Sequence, residues 1–126
     1  MKSKIILLFF ALCLTSGTMA KSRSVKFRSL DVKEFARYIE RADVMLVDVR
    51  TAEEYAAGHI PNAVNLDHED VPSKAEAMLP DKDALILVYC RSGRRSKIAS
   101  EELVKLGYTN VKEFGGIIDW PYKTVK

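Results

Sequence analysis

The stretch Leu85–Ser96, LILVYCRSGRRS, decides how this chain is read. Its apolar run from Leu85 to Tyr89 stops at Cys90. The segment after the cysteine holds one glycine (Gly93), two serines (Ser92, Ser96) and three arginines (Arg91, Arg94, Arg95). A continuous apolar run bounded by turn residues suits a strand buried on both faces, as in a parallel sheet. Beyond the loop, Ala99, Leu103 and Leu106 recur at helical spacing, and Gly107 is placed to end that helix. The segment therefore predicts strand, tight loop and helix, with a thiol where the strand ends. Ligands of open α/β sheets bind at that carboxyl edge, so Cys90 reads as a nucleophile.

The same alternation extends to both sides. Val25–Phe27 reads as an opening strand. Asp31 with Glu34 reads as a capping box, and Leu30 with Phe35 as its hydrophobic staple, for a helix running to about Arg41. Val44–Val49 is a second apolar strand. Thr51 and Glu54 form another capping box, for a short helix closed by Gly58. Pro61 makes His59–Asn62 a turn. Ala63–Leu66 is a small strand, Lys74–Met78 a turn or two of helix broken at Pro80, and Val111–Phe114 a last strand before Gly115, Gly116 and Trp120. Alternating strands and helices predict one α/β domain. Its central sheet is mostly parallel, of about five strands, with helices on both faces.

The first twenty residues stand apart from this pattern. Lys2 and Lys4 precede an apolar run, Ile5–Leu14, and Thr18-Met19-Ala20 offers small residues where a signal peptidase reads. Residues 1–20 are therefore expected to be an export signal and residues 21–126 the folded domain. The run is about half the length that spans a bilayer; an uncleaved anchor is the alternative. Leu12 stands before Cys13 where a lipoprotein signal needs a small residue. Without Lys2 and Lys4 the net charge falls from +3 to +1, which argues against nucleic-acid or membrane-surface binding. Removal of the signal also leaves Cys90 as the one cysteine. In an oxidising compartment a lone thiol is either buried and inert or kept for its chemistry.

The neighbours of Cys90 favour chemistry. A thiol attacks as thiolate, and helix N-termini and nearby cations favour that form. Converging N–H groups of a tight loop and the positive end of the following helix both act here. Arg91, Arg94 and Arg95 supply charge for a small dianion. The bland reading makes the arginines solvated surface and Cys90 a small core residue. Other chemistries lack their parts. Zinc needs more ligands than Cys90 and the separated His59 and His68 provide. A dithiol centre needs a second cysteine, a papain-like site needs a marked histidine base, and no Walker-type loop is present.

Asp48-Val49-Arg50, Glu54-Tyr55, Gly58-His59-Ile60-Pro61 and Ala63-Val64-Asn65 form one set of motifs. The apolar strand ending at Cys90 with its loop is a second, and Gly115-Gly116 followed by Trp120 a third. In that order and spacing, over nearly all of Ser29–Trp120, the chain resembles a single-domain rhodanese, similar to the small exported rhodaneses of bacterial envelopes. The resemblance implies a sulfurtransferase. Cys90 would take the outer sulfur of thiosulfate as a persulfide, releasing sulfite, and pass it to cyanide or another thiophile. It implies backbone donors from Arg91 to Ser96 around the charged sulfur. Arg91, Ser92, Gly93, Arg94, Arg95 and Ser96 would bind substrate, with Arg95 foremost among the arginines.

Asp48 and Arg50 then read as structural residues beside the site, His59 as ordering its loop, and Trp120 as core or pocket wall. No cofactor or metal is implied. The partners would be a small sulfur donor and a thiophilic acceptor, with a thioredoxin-like thiol protein among the candidates. A monomer is expected, exported, and periplasmic in a Gram-negative host. The chain departs from the family pattern in its short ending after Trp120-Pro121, which bears on one pocket wall. Rival readings are a non-catalytic carrier or partner-binding module, and a phosphatase or arsenate reductase on the same fold. Related phosphatases place an arginine six positions after the cysteine; here that position is Ser96.

Overall fold

The computed structural model describes residues 26–126. The expected export signal at 1–20, with Cys13, and Val25 of the expected opening strand lie outside the described residues. Five strands form one sheet among them: β1 (Arg28–Ser29), β2 (Val44–Asp48), β3 (Val64–Asn65), β4 (Leu85–Cys90) and β5 (Val111–Gly116). Their order is β1-β5-β4-β2-β3, and every pairing is parallel. Four helices connect them: α1 (Val32–Ile39), α2 (Ala52–Ala57), α3 (Val71–Met78) and α4 (Arg94–Lys105). Short 3-10 turns at His68–Asp70 and Ile117–Asp119 complete the chain. The α/β architecture expected from the sequence is the one observed.

β4 holds the centre because both its faces are apolar, and all six of its residues are buried. Ile86, Val88 and Cys90 face Val71 and Ala75 of α3 and Ala99 and Leu103 of α4. Leu85, Leu87 and Tyr89 face Phe35 of α1, Phe114 of β5 and Ile60. Burial of each large side chain contributes about 1.5–3 kcal/mol, so this strand is the least dispensable element. Its parallel neighbours, β2 and β5, bring the ends of three strands to one edge.

Several expected boundaries move. The opening strand lies at Arg28–Ser29 rather than at Lys26 and Phe27, paired Arg28 to Lys112 and Ser29 to Glu113. A polar contact, Ser29 Oγ donating to Glu113, and burial of Leu30 go with this register. Phe27 instead packs beside α4. α1 stops at Ile39, short of Arg41, whose guanidinium binds Asp43 at 2.8 Å. Asp31 accepts the Glu34 N–H at 2.9 Å, half of the expected box. The Thr51–Glu54 box is complete. α3 starts at Val71, three residues earlier than read, because Pro72 is tolerated in a first helical turn.

The carboxyl end of β5 runs against the loop after β4. A Cβ on Gly116 would stand 2.0 Å from the Arg91 carbonyl oxygen and 2.6 Å from the Ser92 nitrogen. The backbone at Gly116 is extended, at φ 178°, so the glycine is required by this close approach rather than by conformation. The neighbouring contact, Ile118 N–H to the Arg91 carbonyl at 3.2 Å, fixes the same packing. Gly116→Ala should therefore destabilise the fold by at least about 2 kcal/mol in urea unfolding. A stability equal to the parent chain's would contradict so tight an approach.

Candidate active site

Cys90 is the last residue of β4, and its pairing with β5 shifts there, so that it faces Gly116. The chain then curls through Arg91–Gly93 into α4. Gly93 adopts φ +122°, a conformation that L side chains rarely accept, and turns its N–H inward. That N–H donates to Cys90 Sγ at 3.0 Å, and the thiol donates to the Gly115 carbonyl at 3.3 Å. Cys90 is 1 % exposed, so the sulfur sits at the base of the loop, screened from bulk water. A whole ring of amides was expected around it; among the described residues, the backbone donor to the sulfur is Gly93.

The structure gathers the remaining site residues unequally. Gly93 and Ser96 are buried beside the sulfur's loop, whereas Arg91, Ser92 and Arg94 are exposed on its rim. Arg91 and Arg94 make no ion pair among the described residues. Arg95 differs from expectation. Its guanidinium is taken up by Glu54 of α2 through two bonds, of 2.7 and 3.0 Å. This fork holds the Glu54 carboxyl down to about 2, with Thr51 helping and burial opposing. Arg95 is raised in turn, chiefly by Glu54 and more weakly by Cys90. The pair thus ties α2 to the first turn of α4.

Asp48 and Arg50 form a buried fork of their own, with Arg50 Nη2 at 2.6 Å from Asp48 and 2.7 Å from the Gly58 carbonyl. This bonding closes the β2–α2 connection. Nearby, burial pushes the Tyr89 phenol up, and its oxygen accepts the Ile60 N–H at 3.0 Å. The His59 ring stacks on Tyr55 with centroids 3.7 Å apart, and its backbone pairs with Val125. Trp120 packs on Phe35 and Phe114. Two residues were missed from sequence. Glu113, 1 % exposed, lies behind the loop and accepts from Ser96 Oγ at 2.6 Å; Lys97 stands 3.4 Å from it. The available signal was an acid in phase with buried Val111 along a strand.

With that geometry in view, the profile of the rhodanese-like domain matches residues 31–121. The chain belongs to the rhodanese family. This rhodanese is 38% identical over 80 residues to the thiosulfate sulfurtransferase PspE of Escherichia coli, covering 64% of this chain and 77% of that protein. It is 41% identical over 85 residues to a sulfurtransferase of Allochromatium vinosum, covering 67% and 78% of the two chains. A solved rhodanese with anions from E. coli superposes with a TM-score of 0.62 at 36% identity, over 66% of this chain and 98% of that one. These relatives place the chain among sulfurtransferases.

Because Glu54 titrates low when paired, its contribution to stability is complete above its ordinary value of 4.5 and is lost as pH falls through about 2. Glu54→Gln keeps the capping geometry and removes the charge. The parent should exceed it by about 1 kcal/mol in urea unfolding near pH 6, the gap closing toward pH 2. An equal gap at both pH values would contradict the assignment.

Proposed function

We propose that the chain is a thiosulfate sulfurtransferase working through a persulfide on Cys90. The observation that carries this reading is the Gly93 N–H aimed at Cys90 Sγ at 3.0 Å, under a rim of exposed Arg91 and Arg94. The thiolate attacks the outer sulfur of thiosulfate. A bond from Sγ to that sulfur forms, the S–S bond of thiosulfate breaks, and sulfite leaves with its electron pair. The persulfide now carries the negative charge on its outer sulfur. Cyanide or a thiolate attacks that sulfur in the second step, giving thiocyanate or a new persulfide and restoring the Cys90 thiolate. Atoms and charge balance without a cofactor, and the two half-reactions predict ping-pong kinetics.

The low exposure of Cys90 favours a donor that presents a terminal sulfur on a narrow anion, as thiosulfate does. Arg91 and Arg94, exposed and without an ion pair among the described residues, meet it, while Arg95 holds the loop through Glu54. Gly93 serves the charged sulfur, and Ser92 and Ser96 complete the loop around it. Asp48 and Arg50 support it from below. The partners are then the small donor and a thiophilic acceptor, a thioredoxin-like thiol protein being one candidate, met by a monomer. Export by the signal read at residues 1–20 would put this chemistry in the periplasm of a Gram-negative host.

Purified protein with thiosulfate and cyanide should yield thiocyanate, and Cys90→Ser should abolish the yield. A Cys90→Ser variant with parental activity would remove that residue from the reaction, and comparable turnover of an aryl phosphate would favour the phosphatase reading. Arg91→Ala and Arg94→Ala should each raise KM for thiosulfate by about 3–10-fold. An unchanged KM in both would leave the rim without a part in donor binding.

A further inference from the structure

Glu113 is an acidic residue in a strand interior, at 1 % exposure, pointing with Val111 toward the α4 side of the sheet. A carboxylate so buried persists where hydrogen bonds and opposite charge replace water. Its partners here are specific. It accepts from Ser29 Oγ of β1 and from Ser96 Oγ of α4 at 2.6 Å, and Lys97 Nζ stands 3.4 Å away. Ser96 and Lys97 belong to the first turn of α4, where free N–H groups and the macrodipole favour an anion. That helix begins at Gly93 with no side-chain cap of its own. Glu113 meets that turn from the neighbouring strand through the side chains of Ser96 and Lys97.

These contacts lead to the sulfur. Ser96 Oγ lies 3.0 Å from the Gly93 carbonyl as well as 2.6 Å from Glu113. Gly93 N–H is the backbone donor to Cys90 Sγ among the described residues. Gly93 also has the widest conformational choice in the loop, so its inward N–H depends on what surrounds it.

We propose that Glu113 is a positioning residue for the Cys90 reaction: by holding Ser96 and Lys97 it fixes the first turn of α4, and with it the Gly93 N–H on the sulfur. This rests on Cys90 being the nucleophile of the proposed function. Glu113 touches neither substrate nor sulfur and acts through Ser96 and Gly93. A glutamine can replace it, accepting from Ser29 and donating to Ser96, whereas alanine removes both contacts.

The test is alkylation of Cys90 by iodoacetamide, read as the ratio of rates near pH 7 and near pH 9, in which access to the thiol cancels. Thiosulfate kcat and KM are measured beside it on the full chain. Glu113→Ala should lower the ratio by about 3–10-fold, the effect of one lost hydrogen bond to the thiolate. It should lower kcat with KM within about twofold. Ser96→Ala should move both readings the same way, and Glu113→Gln should restore most of the loss. Ser29→Ala, which frees only the β1 side, should lower Tm and leave the ratio unchanged.

A folded Glu113→Ala with the parental ratio overturns the proposal, as does a Ser29→Ala that matches Glu113→Ala. If Glu113→Ala does not fold, Ser96→Ala decides, its parental ratio being the contrary result. Alkylation needs no sulfur donor. A chain inert to thiosulfate whose ratio still falls in Glu113→Ala would sink the thiosulfate reading and keep the positioning role.

Discussion

A peptide group occupies the space where a side chain at position 116 would stand. The Arg91 carbonyl comes within 2.0 Å of any Cβ placed there, so β5 can lie directly against the loop that leaves β4. From this approach the other local features arise. Ile118 N–H reaches the Arg91 carbonyl, and the Gly115 carbonyl reaches Cys90 Sγ. Gly93 is left to turn inward over the sulfur. The loop is shaped by backbone pressed on backbone, which leaves its side chains free to face outward.

Charge is distributed around that loop by distance from water. Arg41 and Asp43 pair on the surface, where solvent screening leaves them worth little. The pairs nearer the loop each join pieces that are separate in the chain or close a tight connection. Asp48–Arg50 reaches the Gly58 carbonyl, Glu54–Arg95 joins α2 to α4, and Glu113 joins β5 to α4. Breaking one member of a buried pair such as Asp48–Arg50 strands its partner, and this costs more than the pair's net worth. The loop is therefore braced by committed charges, while Arg91 and Arg94 are exposed and make no ion pair among the described residues.

Much of the fold could be read from residue pattern. The unbroken apolar run before Cys90 suited a doubly buried strand, and Thr51 with Glu54 announced a helix start that the structure completes. Local rules sufficed because both features are local. Three features were not legible for the opposite reason. β1 is a two-residue strand whose register goes with a hydroxyl–carboxylate contact, not an apolar stripe. The pairing of Arg95 with Glu54, forty-one residues earlier, gives no sign of itself in sequence. Glu113 is not marked out in sequence, since its burial depends on Ser29 and Ser96 arriving from two other elements.

The sulfur at the base of the loop is the centre on which these contacts converge, and its reactivity can be weighed directly. Intact-mass measurement after exposure to thiosulfate should find one added sulfur per chain, absent in Cys90→Ser and removed by cyanide or a reductant. An unchanged mass, or an added sulfur that persists when Cys90 is replaced, would contradict a sulfur relay at this site.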